Sequence, residues 1–151
     1  MMNLLWIALG GGLGALARSG LYGLISTQPL HYNILIINVS GSFLIAVVMT
    51  LSLEYGWLSE RGRLFLSVGV LGGYTTFSTF MLGIYLLLSH HALIRAYTYT
   101  IGSLLFGLAF CWLGVVATRR AVEALIARKS PPEDPDPAHD NDENIVRQGL
   151  R

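Results

Sequence analysis

Gly69-Val70-Leu71-Gly72-Gly73-Tyr74-Thr75-Thr76-Phe77-Ser78-Thr79-Phe80 lies inside an apolar stretch that runs from residue 64 to residue 88. That stretch exceeds the roughly 20 residues a helix needs to cross the hydrocarbon core of a bilayer. Between Gly72 and Thr79 it carries two glycines and four hydroxyl side chains, Thr75, Thr76, Ser78 and Thr79. A helix that only packs against neighbours rarely needs so many polar groups, because inside a bilayer each unsatisfied one is expensive. Adjacent glycines followed by two threonines invite a break midway along the span, and a broken helix frees carbonyls that can coordinate a cation. Phe77 and Phe80, three apart, share one helical face, and Thr75 and Thr79 share another.

Three further apolar segments, about 4 to 25, 33 to 53 and 93 to 117, have similar length. The chain of 151 residues is 53% apolar and only 13% charged, and its mean hydropathy is +0.56. A soluble domain carries about a quarter charged residues. Residues 1–117 hold four cations (Arg18, Arg61, Arg63, Arg95) and two carboxylates (Glu54, Glu60), while the other six cations and seven carboxylates lie in residues 118–151. The net charge of +1 therefore averages two different materials, and a basic nucleic-acid binder is excluded. The reading is an all-α integral membrane protein of four transmembrane helices over residues 1–117, followed by a charged tail over 118–151. The stretch 130–144, rich in Pro, Asp and Glu, is too polar to bury a core and is expected to be disordered. No internal repeat is evident. The first segment lacks a cationic start and runs on to Arg18, so it reads as a mature helix and not as a cleaved signal.

Four spans put the N-terminus, the 54–63 loop and the tail on one side, together with Arg61, Arg63, Arg119, Arg120, Arg128 and Lys129. The positive-inside rule places that side in the cytoplasm.

Polar residues in the other spans mark further candidates. In the first, Gly10 and Gly14 share a face with Arg18, and small residues four apart let helix backbones approach closely. Arg18 is either an anion-attracting charge in a vestibule or a structural arginine that bonds helix-end carbonyls or snorkels. Gly10-x-Gly12-x-x-Ala15 imitates a dinucleotide fingerprint, but no strand precedes it. In the second span Asn38 and Ser42 point the same way and offer an amide and a hydroxyl, for an interhelical bond or for a permeating ion. In the fourth, Ser103, Gly107, Cys111 and Gly114 form a small-residue stripe, with Tyr97 and Tyr99 a turn or more earlier. The lone Cys111 has no disulfide partner in the chain, and the adjacent His90 and His91 have no third ligand in sight.

Gly11 to Arg18, Asn38-x-x-Gly41-Ser42-Phe43, Gly72 to Phe80 and Ser103-x-x-x-Gly107 together resemble the bacterial fluoride channels of the CrcB/Fluc family. The likeness covers residues 3–117, and the third-span motif is highly specific; the acidic tail is an extension the family does not need. The resemblance implies an antiparallel, dual-topology homodimer in the bacterial inner membrane, with two pores and a central structural Na⁺. The ion would be held by the backbone carbonyls of Gly72 and Thr75. The fluoride pathway would comprise Asn38, Phe77, Ser78, Thr79, Phe80 and Ser103, with Tyr97, for which Tyr99 competes, and Arg18 would be structural or vestibular. The cation bias departs from the near-neutral loops that insertion in both orientations implies. The partners implied are fluoride, a second copy of the chain and the lipid bilayer, with no nucleic acid.

The implied activity is passive export of fluoride that enters as the neutral acid and ionises in the cytoplasm. A proton-coupled exporter resembling the small multidrug resistance family would need a glutamate in the first span, and the first carboxylate here is Glu54, at a loop. A non-transporting scaffold would leave the polar run at 72–80 unexplained. An enzyme is not indicated, as no nucleophile is paired with a base.

Overall fold

The computed structural model describes residues 2–25 and 32–129. Helix α1 spans Met2–Leu24 and α2 spans Tyr32–Leu53. The third span is composite. It starts as α3, Glu60–Arg63, and widens into a π-helical segment, Leu64–Leu71. It then closes as α4, Gly72–Tyr74, and resumes after a break as α5, Phe77–Ser89. Helix α6 spans Leu93–Lys129. Four helical rods, beginning at Asn3, Tyr32, Glu60 and Leu93, are long and apolar enough to cross a membrane. Among the described residues every element is thus helical, and the protein is multi-pass, as its apolar segments predict.

Two boundaries differ from the sequence reading. The third span begins at Glu60 and not at residue 64, because Ser59 caps it: the Gly62 amide donates to Ser59 Oγ at 3.2 Å. The last helix does not end at 117 but continues to Lys129. Residues 118–129 contain no Gly or Pro and are rich in Ala and Arg, which are good helix formers. The chain divides into two compact units, Met1–Ala121 and Val122–Arg151; of the second only 122–129, the end of this helix, is described. The expected disordered stretch at 130–144 and most of the 27–32 connection lie outside the described residues.

Within the first unit, α1 lies along the π segment and α4 with its backbone almost in contact with theirs. A Cβ on Gly10 would come 2.6 Å from the Phe65 carbonyl oxygen. One on Gly14 would overlap the Val70 carbonyl, and one on Gly73 the Gly11 carbonyl. Two stripes of small residues thus face each other, the packing that substitutes for hydrophobic drive where the surroundings are themselves apolar. On the far side of α2, Gly114 of α6 sits where a Cβ would be 2.7 Å from the Phe43 carbonyl oxygen. The buried core joins Ile34 and Ile37 of α2 to Phe80 of α5 and Tyr99 of α6. Large apolar side chains such as Leu105, Leu108 and Trp112 point outward along α6, as a helix facing lipid or another subunit requires.

At one end of the unit, Arg119 reaches the chain leaving α2 and donates twice to Glu54, Nε to Oε2 at 2.8 Å and Nη2 to Oε1 at 2.6 Å. These bonds hold the Glu54 carboxyl below the usual carboxylate range.

Candidate functional site

The break in the third span falls at Thr75 and Thr76, whose backbones are extended, and not at the glycines. Gly72 is helical, with φ −64° and ψ −36°. Of the two adjacent glycines, Gly73 serves the contact with α1, and the β-branched, hydroxyl-bearing threonines carry the break. This correction has a simple basis: a threonine readily adopts extended backbone, and its side chain replaces the helical acceptor that is lost.

Leaving the helix opens four amides, those of residues 76 to 79, and the carbonyls of residues 72 to 75 that they would have engaged. The Thr76 amide, which an unbroken helix would pair with Gly72, donates instead to Asn38 Oδ1 at 2.9 Å, while Asn38 Nδ2 donates to the Thr76 carbonyl at 3.0 Å. The Thr79 amide, which would pair with Thr75, donates to Thr76 Oγ1 at 3.3 Å, so Thr76 is the N-cap of α5. The Ser78 and Thr79 hydroxyls lie 3.3 and 3.1 Å from the same Thr76 Oγ1, a cluster of three hydroxyls at the start of the helix. The Thr75 carbonyl accepts instead from Arg18 Nη1 at 3.4 Å, which makes Arg18 a residue that bonds a helix-end carbonyl. Gly41 gives α2 room to approach, since a Cβ there would collide with the Thr75 methyl.

Two grooves meet at this break, each with about 370 Å³ of space. One runs past Ser67, Leu71, Gly72, Thr75 and Thr76; the other passes Phe80, Ser103, Gly107 and Cys111; Asn38, Ser42, Ile45 and Phe77 line both. Neither lining includes a carboxylate or a histidine. Ser42 and Ser103 each donate to the carbonyl four residues earlier, Asn38 and Tyr99, and both line the second groove.

The aromatic residues fall in a row. Phe77 and Phe80 have ring centroids 6.1 Å apart, and Phe80 and Tyr99 5.2 Å apart. Phe80 is buried, whereas Phe77 is 73% exposed and walls the grooves from one side only. Of the two competing tyrosines, Tyr99 lies in the core against Phe80 and Tyr97 points away, 66% exposed. The Tyr99 hydroxyl is buried without a hydrogen-bond partner. Asn38, Phe77, Phe80 and Ser103 thus come together at one groove, with Ser78 and Thr79 beside the break, and Tyr97 is not among them.

The sequence reading placed Thr76 in the polar run that invites the break but gave it no role at the site. A Thr immediately before an apolar helical run is an N-cap signal that could have flagged it. Among the described residues no cluster of three His, Cys, Asp or Glu side chains could hold a metal.

The pattern of the family described as "CrcB-like protein, Camphor Resistance (CrcB)" matches residues 5–115. Similar proteins include a "Fluoride-specific ion channel FluC" of Thermus thermophilus, 44% identical over 117 residues, 76% of this chain and 93% of that protein. The "Fluoride-specific ion channel FluC 2" of Nocardia farcinica is 44% identical over 124 residues, 80% of this chain and 88% of its own length. A third, "Fluoride-specific ion channel FluC" of Geobacter metallireducens, is 38% identical over 122 residues, 79% of this chain and 98% of that protein.

Proposed function

This chain belongs to the CrcB family, and from that membership we propose that it is a passive, fluoride-selective channel of the bacterial inner membrane that lets cytoplasmic fluoride out. The similar proteins are named ion channels and not enzymes. The observation that carries the reading is the groove in which Asn38, Ser42, Phe77, Phe80 and Ser103 converge.

Fluoride holds its water tightly, so a path for it must replace those waters with donors weak enough to let go. The second Asn38 amide hydrogen and the hydroxyls of Ser42, Ser78, Thr79 and Ser103 are such donors; hydroxyl hydrogens can rotate from a carbonyl toward a passing anion. The rings of Phe77 and Phe80 add a positive edge without a full charge that would trap the ion. A groove without carboxylate or histidine has no group for obligatory proton exchange, which favours a channel over a proton-coupled exporter.

Phe77, open to one side, calls for a second copy to close the path, and an antiparallel homodimer supplies it. The carbonyls of Gly72 and Thr75 fit a structural Na⁺. Unwound backbone offers a hard monovalent cation oxygen ligands, and Thr75 oxygen has a second lone pair besides the one facing Arg18. Two oxygens from each of two copies would make a shared site at the dimer centre. A bound Na⁺ would supply fixed positive charge and tie the two broken helices together.

The test is fluoride efflux from liposomes carrying the purified protein, with and without Na⁺, beside a Phe80→Ile variant. Rapid fluoride release with negligible chloride release, lost in the variant, is the expected outcome. A folded dimer that releases no fluoride would sink the reading.

A further inference from the structure

The two carbonyls that fit a cation have each lost the amide an unbroken helix would give them, and both losses involve residue 76. Gly72 loses the Thr76 amide to Asn38 Oδ1, and Thr75 loses the Thr79 amide to Thr76 Oγ1. Resting on the cation reading above, we propose that Thr76 is the positioning residue that vacates the Gly72 and Thr75 carbonyls, its extended backbone clamped by Asn38 and its hydroxyl holding the Thr79 amide away.

The chemistry of the alternative is plain. A helix gains a bond for each residue it continues through, so a third span without a competing acceptor would rewind across the break and consume those carbonyls. Asn38 resists this at the backbone by satisfying both the amide and the carbonyl of Thr76, and neither bond survives if residue 76 becomes helical. Thr76 Oγ1 resists it at the side chain. Thr76 is buried, at 6% exposure, and the Ser78 and Thr79 hydroxyls lie within hydrogen-bond distance of the same atom. Thr75 itself does not do this: its hydroxyl donates back to the Leu71 carbonyl at 2.9 Å, as in an ordinary helix. Arg18, by donating to the Thr75 carbonyl, occupies one lone pair and leaves the other.

The experiment is a Na⁺ titration of thermal stability at constant ionic strength, on the full-length chain in detergent, for the wild type, Thr76→Ser and Thr76→Val. Serine keeps the capping oxygen, and valine keeps the shape without it. The wild type and the serine variant are expected to share one half-maximal Na⁺ concentration. The valine variant is expected to need about 10–100-fold more Na⁺, the size of loss seen when groups orienting metal ligands are removed. If valine prevents folding, Thr76→Ala removes the acceptor without adding bulk and carries the same expectation. A responsive wild type matched by a valine or alanine variant with the same midpoint overturns the inference alone, as does a folded serine variant that has lost the response. A wild type indifferent to Na⁺ overturns the cation reading, and the inference with it.

Discussion

Asn38 illustrates how one side chain serves structure and passage together. Its oxygen and one of its amide hydrogens are committed to Thr76, across 38 residues of sequence, and the residue lines both grooves. Removing that side chain leaves a buried backbone amide and carbonyl unpaired, at about 1–3 kcal/mol for each. Asn38→Ala is therefore expected to lower the unfolding free energy of the protein by a few times that of a surface substitution and to abolish fluoride flux in liposomes. Denaturant unfolding and efflux measured on one preparation check both. Unchanged stability would mean that the clamp on Thr76 contributes nothing. The same scale separates Tyr97 from Tyr99. They are two residues apart on a helix, so they point in different directions, and only the structure tells which one meets Phe80.

Helix α1 and the first half of the third span depend on each other through backbone contact, so their glycines are not equivalent. Gly14 has no room for a Cβ against the Val70 carbonyl, whereas Gly12, two residues earlier, has nothing near it. Gly14→Ala is expected to push the two helices apart and to destabilise by about 1–3 kcal/mol, the range for overpacking. Gly12→Ala is expected to be neutral or to stabilise by about 0.5–1 kcal/mol through helix propensity. Thermal unfolding of the two variants side by side checks the pair, and equal effects would contradict the packing. The π-helical segment belongs to this scale as well: its widened turns pass the Gly72 amide to the Ser67 carbonyl, five residues back, just before the break.

Across the whole molecule, the Glu54 and Arg119 pair ties the end of α2 to α6. Its sign with pH follows from the direction of the shift. The folded carboxyl is held below its unfolded value by the Arg119 hydrogen bonds, so the pair's stabilisation is fully present above the ordinary carboxylate range. It is lost as pH falls through the lowered folded value. Both side chains are substantially exposed, 52% for Arg119 and 38% for Glu54, so the effect is small and salt-sensitive. Glu54→Gln is expected to lower the neutral plateau of a plot of thermal midpoint against pH slightly and to converge with the wild type in acid, which flattens the acid limb. An unchanged acid limb would remove the pair from the account.

The amino-acid sequence by itself determined the membrane class, the four apolar rods, the polar run at 72–80 and the family likeness. These are properties of composition and local pattern, and hydrophobic length alone dictates what a bilayer will hold. It also marked Asn38, Phe77, Phe80 and Ser103, because polar and aromatic groups in an apolar span need a reason. Only the tertiary structure decided where the third helix breaks, why residue 73 is a glycine, which tyrosine faces Phe80 and what draws the amides away from the two carbonyls. Each of those rests on a partner far away in the chain: Gly11 for Gly73, Gly41 for Thr75, Asn38 for Thr76. A local pattern shows that a backbone group must find an acceptor, and only the packed helices show which one it finds.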